Sequence, residues 1–415
     1  MHKIERLLQT LAPKGVEFRK LGEVCEIIRG KRVTKKEILD KGKYPVVSGG
    51  IGFMGYLNEY NREENTITIA QYGTAGFVNW QNQKFWANDV CFSVIPKETL
   101  INRYLYYVLT NMQNYLYSIS NRSAIPYSIS SNNIMQITIP IPPLEIQQEI
   151  VKILDAFTEL NTELNTELKA RKKQYEYYQN MLLDFNDINQ NHKDAKEKLA
   201  QKTYPKRLKT LLQTLAPKGV EFKKIGELFK RNKGINITAA QMKELHSEIG
   251  KVRIFAGGAT KADINYKDIS KKDIINCESV IIKSRGNIGF EYYNQPFSHK
   301  NEIWSYSSKT NQMLVKFLYY YLSNNQDYFQ KLAQSSSVKL PQLSVSDTDE
   351  YEVPIPPLEI QQEIVKILDQ FSILTTDLLA GIPAEIKARK KQYEYYREKL
   401  LTFKPLTPHK EVKKC

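Results

Sequence analysis

At 415 residues the chain is too long for one ordinary hydrophobic core, and its length favours two or three domains. Lys and Arg number 60 against 45 Asp and Glu, a formal charge of +15, so a polyanionic partner is expected, nucleic acid ahead of an anionic membrane. No run of about 18 apolar residues occurs, the first residues MHKIERLLQTLAPK hold no apolar signal core, and Cys25, Cys91, Cys277 and Cys415 make no CxxC pair. Membrane insertion, a zinc ribbon and a disulfide scaffold are therefore disfavoured, and a soluble cytoplasmic protein is the expectation.

Read in chain order, the sequence is written twice. LLQTLAPKGVEFRKLGE begins at Leu7 and returns as LLQTLAPKGVEFKKIGE at Leu211; IPPLEIQQEIVKILD at Ile141 returns unchanged at Ile355; ARKKQYEYY at Ala170 returns at Ala388. Three such blocks in one order define a duplicated unit of roughly 200 residues. Between the first two blocks the copies diverge, although YGTAGFVNW at Tyr72 faces RGNIGFEYY at Arg285, and RYLYYVLTNMQNYL at Arg103 faces KFLYYYLSNNQDYF at Lys316. The halves are expected to share a fold and to differ in surface.

Each half reads as a mixed α/β domain followed by a long helix. YPVVSGG at Tyr44 and NTITIA at Asn65 predict short strands, and LYYVLTNMQNYL near Leu105 predicts a helix. Pro140, Pro142 and Pro143, like Pro354, Pro356 and Pro357, stop the domain and open the helix that follows. These signals predict a first domain over 1–143, a long helix over 144–185, a polar linker over 186–209, a second domain over 210–357, a second long helix over 358–403 and a tail over 404–415.

Along the first helix the apolar residues Ile146, Ile150, Ile153, Phe157, Leu160 and Leu164 step by four and three in turn, as in a coiled-coil seam. Ile360, Ile364, Ile367, Phe371, Leu374 and Leu378 repeat the spacing, so the two seams are expected to pack on each other. Within the first seam TELN, TELN and TELK run from Thr158, and Leu168 continues the row. One tetrad adds about 6 Å and turns the face by only about 40°, so whole tetrads alter length while roughly keeping direction. Gly381 and Pro383 predict a kink or short break in the second helix.

LAPKGVEF with GEV, the glycine-punctuated domains, IPIPPLEIQQEIVKILD, the TEL tetrads and ARKKQYEYY together resemble the specificity subunit of type I restriction-modification systems, over nearly the whole chain and in family order. The resemblance implies an α/β (α+β) fold of two tandem target-recognition domains separated by two long antiparallel coiled-coil helices. It implies a non-catalytic subunit that reads an asymmetric bipartite site on double-stranded DNA. Two modification subunits would methylate adenine at N6 with S-adenosylmethionine, restriction subunits would cleave with ATP and Mg, and the chain itself would hold no cofactor. It also implies that the tetrads set the gap between half-sites. A coiled-coil adaptor without sequence-specific DNA reading is the alternative.

Base readers are expected in loops where the copies differ, because arginine favours guanine and glutamine or asparagine favours adenine by bidentate geometry. The candidates are Arg29, Lys31, Arg32, Gln71, Tyr72, Asn121 and Arg122 in the first domain, and Lys283, Ser284, Arg285, Asn287, Ser336 and Lys339 in the second. Tyr175, Tyr178 and the basic residues beside them read as scaffold or as a docking face for a modification subunit, since their spacing continues the seam. No GxxxxGK phosphate loop appears. His2, His192, His246, His299 and His409 lie far apart and read as surface residues, and no metal site is expected.

Overall fold

The computed structural model describes residues 2–123, 125–189, 194–335, 340–376 and 381–406. Its described residues fall into two compact units. Unit 1 takes the chain up to Thr166 and again from Glu385, and unit 2 takes Glu167–Ala384. Each unit therefore combines one divergent domain with a stretch of both long helices.

The nine strands of unit 1 are β1 (Glu17–Lys20), β2 (Cys25–Arg29), β3 (Tyr44–Val47), β4 (Tyr56–Leu57), β5 (Thr66–Ala70), β6 (Val78–Gln81), β7 (Trp86–Ala87), β8 (Cys91–Pro96) and β9 (Thr138–Ile141). Unit 2 supplies β10 (Glu221–Lys224), β11 (Phe229–Asn232), β12 (Val252–Phe255), β13 (Lys261–Ile264), β14 (Ser279–Lys283), β15 (Gly289–Tyr293), β16 (Phe297–His299), β17 (Trp304–Ser308) and β18 (Glu352–Ile355). The orders β2-β8-β5-β6, β4-β3-β7 and β1-β9 in unit 1 match β11-β17-β14-β15, β13-β12-β16 and β10-β18 in unit 2. Divergent sequence thus keeps one topology, down to one parallel strand pair in each unit among the described residues, β3 with β7 and β12 with β16.

The predicted strands at Tyr44 and Asn65 are β3 and β5. Strand β5 is buried along its whole length. Its Ile67 and Ile69 join the core that contains Tyr104, Leu105 and Val108 of the helix Asn102–Asn111, while Thr68 on the other face accepts a hydrogen bond from Gln81 Nε2 at 3.0 Å. The helix predicted near Leu105 is two short helices, Asn102–Asn111 and Gln113–Ser118.

The unchanged block IPPLEIQQEIVKILD fastens each domain to its long helix. Gln147 is fully buried: its Oε1 accepts from Ile101 N at 2.8 Å, and its Nε2 donates to the carbonyls of Thr99 and Pro142 at 3.0 and 2.8 Å. Gln361 does the same with Leu314 N, Gln312 O and Pro356 O, at 2.8, 2.8 and 2.7 Å. Both lone pairs and donors of a buried amide are costly to strand, so the block tolerates no apolar residue here. About two turns further on, Asp155 accepts from Arg103 Nε at 2.7 Å and from Tyr107 Oη at 2.5 Å. Asp369 accepts from Lys316 Nζ and Tyr320 Oη at the same two distances. Lys3 with Glu149 and Arg207 with Glu363 tie the short leading helices to the same surface at 2.5 and 3.2 Å.

The first long helix is Leu144–Leu183, 40 residues; the second is described as Leu358–Thr376 and Gly381–Leu401. The predicted break falls at Gly381, whose φ of +76° lies in the left-handed region and whose added Cβ would meet Ile373 O at 2.5 Å. Leu378 lies outside the described residues. In unit 1 the ring of Phe157 stacks on Tyr396 with centroids 5.5 Å apart, and in unit 2 Phe371 stacks on Tyr178 at 5.2 Å. Val16 bridges Pro405 while Glu17 pairs with Ile141, so the last helical segment ends beside the entrance of the first helix. Asn189 and Val220 with Glu221 and Ile355 give unit 2 the same antiparallel arrangement.

The seam differs from its predicted membership. The fully buried row is Ile146, Ile150 and Leu154, with Ile360, Ile364 and Leu368, and it faces the domain cores. Ile153 and Ile367 are half-buried beside it, as are Leu164, Leu168 and Leu374. Leu160 is 43% exposed, and half-buried Asn161 takes the inward place. A strict four-residue row turns about 40° with each step, so the leucines spiral across the contact instead of following it.

Two further differences concern polar expectations. Segment 186–209 contains the helix Ala195–Gln201, and Ile188, Leu199, Tyr204 and Leu208 enter the unit 2 core, so much of this stretch is packed. His299 is no surface residue: it is fully buried in β16, with Nε2 3.2 Å from Ser305 Oγ. Burial pushes its pKa below the usual histidine value.

Gln147→Leu is expected to lower the stability of unit 1 by about 2–4 kcal/mol, and Gln361→Leu that of unit 2, because each strands buried backbone groups; urea unfolding followed by protease cleavage mapped to each unit checks this. The depressed His299 pKa favours the neutral side chain in the folded state. Its contribution is fully present above the unfolded value of about 6.5 and is lost as pH falls from there through the lower folded-state value. His299→Gln should therefore flatten the acid side of the unit 2 stability profile, read from urea midpoints between about pH 7 and about pH 5.

Candidate nucleic-acid interface

Backbone hydrogen bonds gather the divergent loops of unit 1 at one end of its sheets. After β2, Gly30 N donates to Cys91 O and Lys31 N to Ala87 O, each at 2.9 Å. After β3, Gly49 O accepts from Thr74 N at 3.1 Å and Thr74 Oγ1 at 2.7 Å, joining the glycine pair to the loop after β5. That loop donates from Gln71 N to Val90 O and from Gly73 N to Tyr127 O, and Asn121 and Ser128 exchange two backbone bonds at 2.7 and 3.1 Å. Glycine at position 49 thus serves loop packing, since a Cβ there would lie 2.3 Å from Tyr72 O.

Six of the seven unit 1 candidates lie on these connected loops and Arg29 ends strand β2 beside them, with different freedom. Arg32 and Arg122 are exposed, and Tyr72 is 37% exposed. Lys31 is exposed with its ammonium 5.9 Å from the Trp86 ring centre, and its carbonyl accepts from Trp86 Nε1 at 2.8 Å. Arg29 is partly committed, donating from Nε to Asp89 O at 2.6 Å. Asn121 is exposed, and its Oδ1 accepts from Ser123 N at 3.0 Å. Gln71 keeps a buried Oε1 without a hydrogen-bond partner. Lys35, Lys36, Lys41 and Lys43 are also exposed on the segment that follows Arg32, a supply of positive charge suited to phosphates.

In unit 2 the candidates separate more sharply. Arg285 and Asn287 are exposed on the loop after β14, where Gly286 N donates to Pro341 O at 2.9 Å. Lys283 forms an ion pair with Glu291 at 2.7 Å, so its charge is neutralised locally. Ser284 is 1% exposed and donates to Glu302 O at 2.7 Å, which makes it a support for the loop and removes it from the surface. Ser336 and Lys339 lie outside the described residues.

Other residues hold the ends of the sheets in shape. Asn61 Oδ1 accepts from Ala87 N at 2.7 Å while its Nδ2 donates to Ala87 O; Arg62 donates to Ser93 Oγ and Arg29 O; Asn88 Oδ1 accepts from Val33 N at 3.1 Å. Sequence reasoning passed over them because nothing in NREENT or ANDV distinguishes a loop brace from a solvated residue. It also passed over exposed apolar residues, Ile51, Phe53, Ile125 and Tyr127, because only polar types were sought.

A second surface is the same in both halves. Tyr175 and Tyr178, like Tyr393 and Tyr396, are half-buried, while Lys172, Lys173, Glu176 and Tyr177 are exposed, as are Lys390, Lys391, Glu394 and Tyr395. Little of the chemistry at hand is nucleophilic: burial pushes the thiols of Cys25 and Cys91 up to about 12. Among the described residues no group of three or more His, Cys, Asp or Glu side chains is placed to hold a metal ion, and no helix is long and apolar enough to cross a membrane.

Comparison with known proteins agrees with this geometry. The family model described as "Type I restriction modification DNA specificity domain" matches twice, over residues 13–173 and 217–388. A putative type I restriction enzyme specificity subunit of Haemophilus influenzae is 33% identical, over 96% of this chain and 98% of its own length. The EcoR124I/EcoR124II specificity subunit of Escherichia coli is 27% identical over 98% of both chains. The crystal structure of a type I restriction-modification S subunit from M. genitalium superposes with a TM-score of 0.63 at 19% identity, covering 93% of this chain and 95% of that one, a likeness of fold. Two matched domains, full-length relatives and a shared double architecture lead to one assignment: the chain belongs to the type I restriction-modification specificity-subunit family.

Proposed function

We propose that this chain is the non-catalytic DNA-reading subunit of a type I restriction-modification complex. The observation that carries this reading is one topology present twice, with identical fastening to the long helices and with different side chains on the loop ends. Two unlike readers address an asymmetric split site, since a palindrome would call for two like ones. Exposed Arg32, Lys35, Lys36, Lys41 and Lys43 supply phosphate affinity in unit 1, and Arg122 and Arg285 are the foremost base-reading side chains.

The surfaces that the halves share would each take one modification subunit, which brings S-adenosylmethionine and methylates adenine at N6. Restriction subunits would supply ATP- and Mg-dependent cleavage. The tetrads from Thr158 would set the gap between half-sites, since adding or removing one lengthens or shortens the helix by about 6 Å with little rotation. Work on chromosomal DNA places the complex in the cytoplasm.

A selection from randomised duplexes, made with the chain co-expressed with its modification subunit, tests the reading. A split motif is expected, and deletion of Thr162–Asn165 should shorten its gap with both half-sites unchanged; a contiguous motif, or none, would return the adaptor reading. In the same assay Arg122→Ala should relax one half-site and Arg285→Ala the other, each costing about 1–3 kcal/mol against the selected base. Ser284→Ala should loosen the unit 2 loop without changing which base is preferred.

A further inference from the structure

Aliphatic side chains are ordinarily covered, yet Ile125 is 97% exposed. With Pro126 and half-exposed Tyr127 it occupies the loop that Asn121 and Ser128 close, and the Gly73 N to Tyr127 O bond of 3.1 Å anchors that loop to the end of β5. Ile51 and Phe53, 67% and 47% exposed, sit on the adjoining loop, which Gly49 and Thr74 tie to the same place. Unit 2 has an aliphatic residue and a proline near the corresponding bridge, Arg285 with Gln342, one residue closer to it than Ile125 is to the bridge of Tyr72 with Ser128. Leu340 is 54% exposed and precedes Pro341, whose carbonyl accepts from Gly286 N as that of Tyr127 accepts from Gly73 N.

Resting on the DNA-reading role above, we propose that these aliphatic and proline tips are wedges, Ile125 with Pro126 entering the base stack of the half-site addressed by unit 1 and Leu340 with Pro341 entering the other. Arg122 and Arg285 flank these residues as base readers, while exposed Arg32, Lys35, Lys36, Lys41 and Lys43 hold the phosphates beside the unit 1 loop. An aliphatic side chain can neither accept from a base edge nor pair with a phosphate, so its contact is apolar, with a thymine methyl or, where a proline stiffens it, with the faces of bases. Ile, Leu and Pro are side chains that unstack a step and kink the duplex, which brings more protein surface against it. Pyrimidine–purine steps unstack most easily, so each half-site carries one beneath its tip.

The test uses the chain bound to its modification subunit and duplexes carrying the selected site, with 2-aminopurine placed at successive positions away from the methylated base. Selectivity is followed by competition with duplexes in which one half-site is scrambled. Fluorescence should rise at one step in each half-site. Ile125→Ser should remove the rise in the unit 1 half-site alone and weaken binding about tenfold, Leu340→Ser should act in the other, and Ile125→Leu should retain both signals. Unchanged signals in both serine variants, or loss from both half-sites in either, overturn the wedges while selective competition by the unaltered chain preserves the reading role. Absence of selective competition by the unaltered chain overturns that role, and the wedges with it.

Discussion

A buried glutamine amide on each long helix is the interaction on which the architecture depends. Gln147 and Gln361 each satisfy three backbone groups that the turn into Pro-Pro leaves without partners, and each is sealed under the apolar row that begins with Ile146 or Ile360. The amide accordingly fixes the direction in which the helix leaves the domain. A reading head whose angle to its helix could drift would convert small rotations at the domain into large displacements along a duplex. Asp155 and Asp369, each bridging a cation and a tyrosine from the domain, fix the same angle a second time about two turns later.

This division of labour explains the pattern of likeness between the halves. Positions that hold the domain to its helix are identical or nearly so, because a buried amide or a paired carboxylate accepts few replacements. Strand cores keep only apolar character, so TITIA and SVIIK occupy the same place in the two sheets. Loop ends keep only backbone connections, such as those of Gly73 with Tyr127 and Gly286 with Pro341, and their side chains are released to vary. A scaffold specified by backbone and buried groups leaves the reading surface free to change without loss of fold.

Much of this was legible in the sequence, and the limits have physical causes. The duplication, the Pro-Pro boundaries and the break at Gly381 follow from identity and backbone chemistry, which are local. The alternating step of the apolar residues points Leu160 inward, whereas the rotation of the folded helix brings Asn161 to that place. Lys283 looks like a reader in sequence because its partner Glu291 arrives only when β14 pairs with β15, and Ser284 because its cover by Glu302 and Leu343 comes from distant segments. His299 looked solvated because its cover comes from a neighbouring sheet. Ile125 went unnoticed because an isoleucine in sequence carries no sign of being outside.

Unit 2 is continuous in sequence from Glu167 to Ala384, whereas unit 1 needs Leu400 and Leu401 in its core beside Ile146 and Ile150. A chain emerging from the ribosome can therefore complete its second reader first. The first reader, although translated earlier, waits with part of its apolar surface uncovered until the final helical segment arrives. Order of synthesis and order of completion are reversed, and a chain cut short in that segment would lose the earlier half of its recognition before the later one.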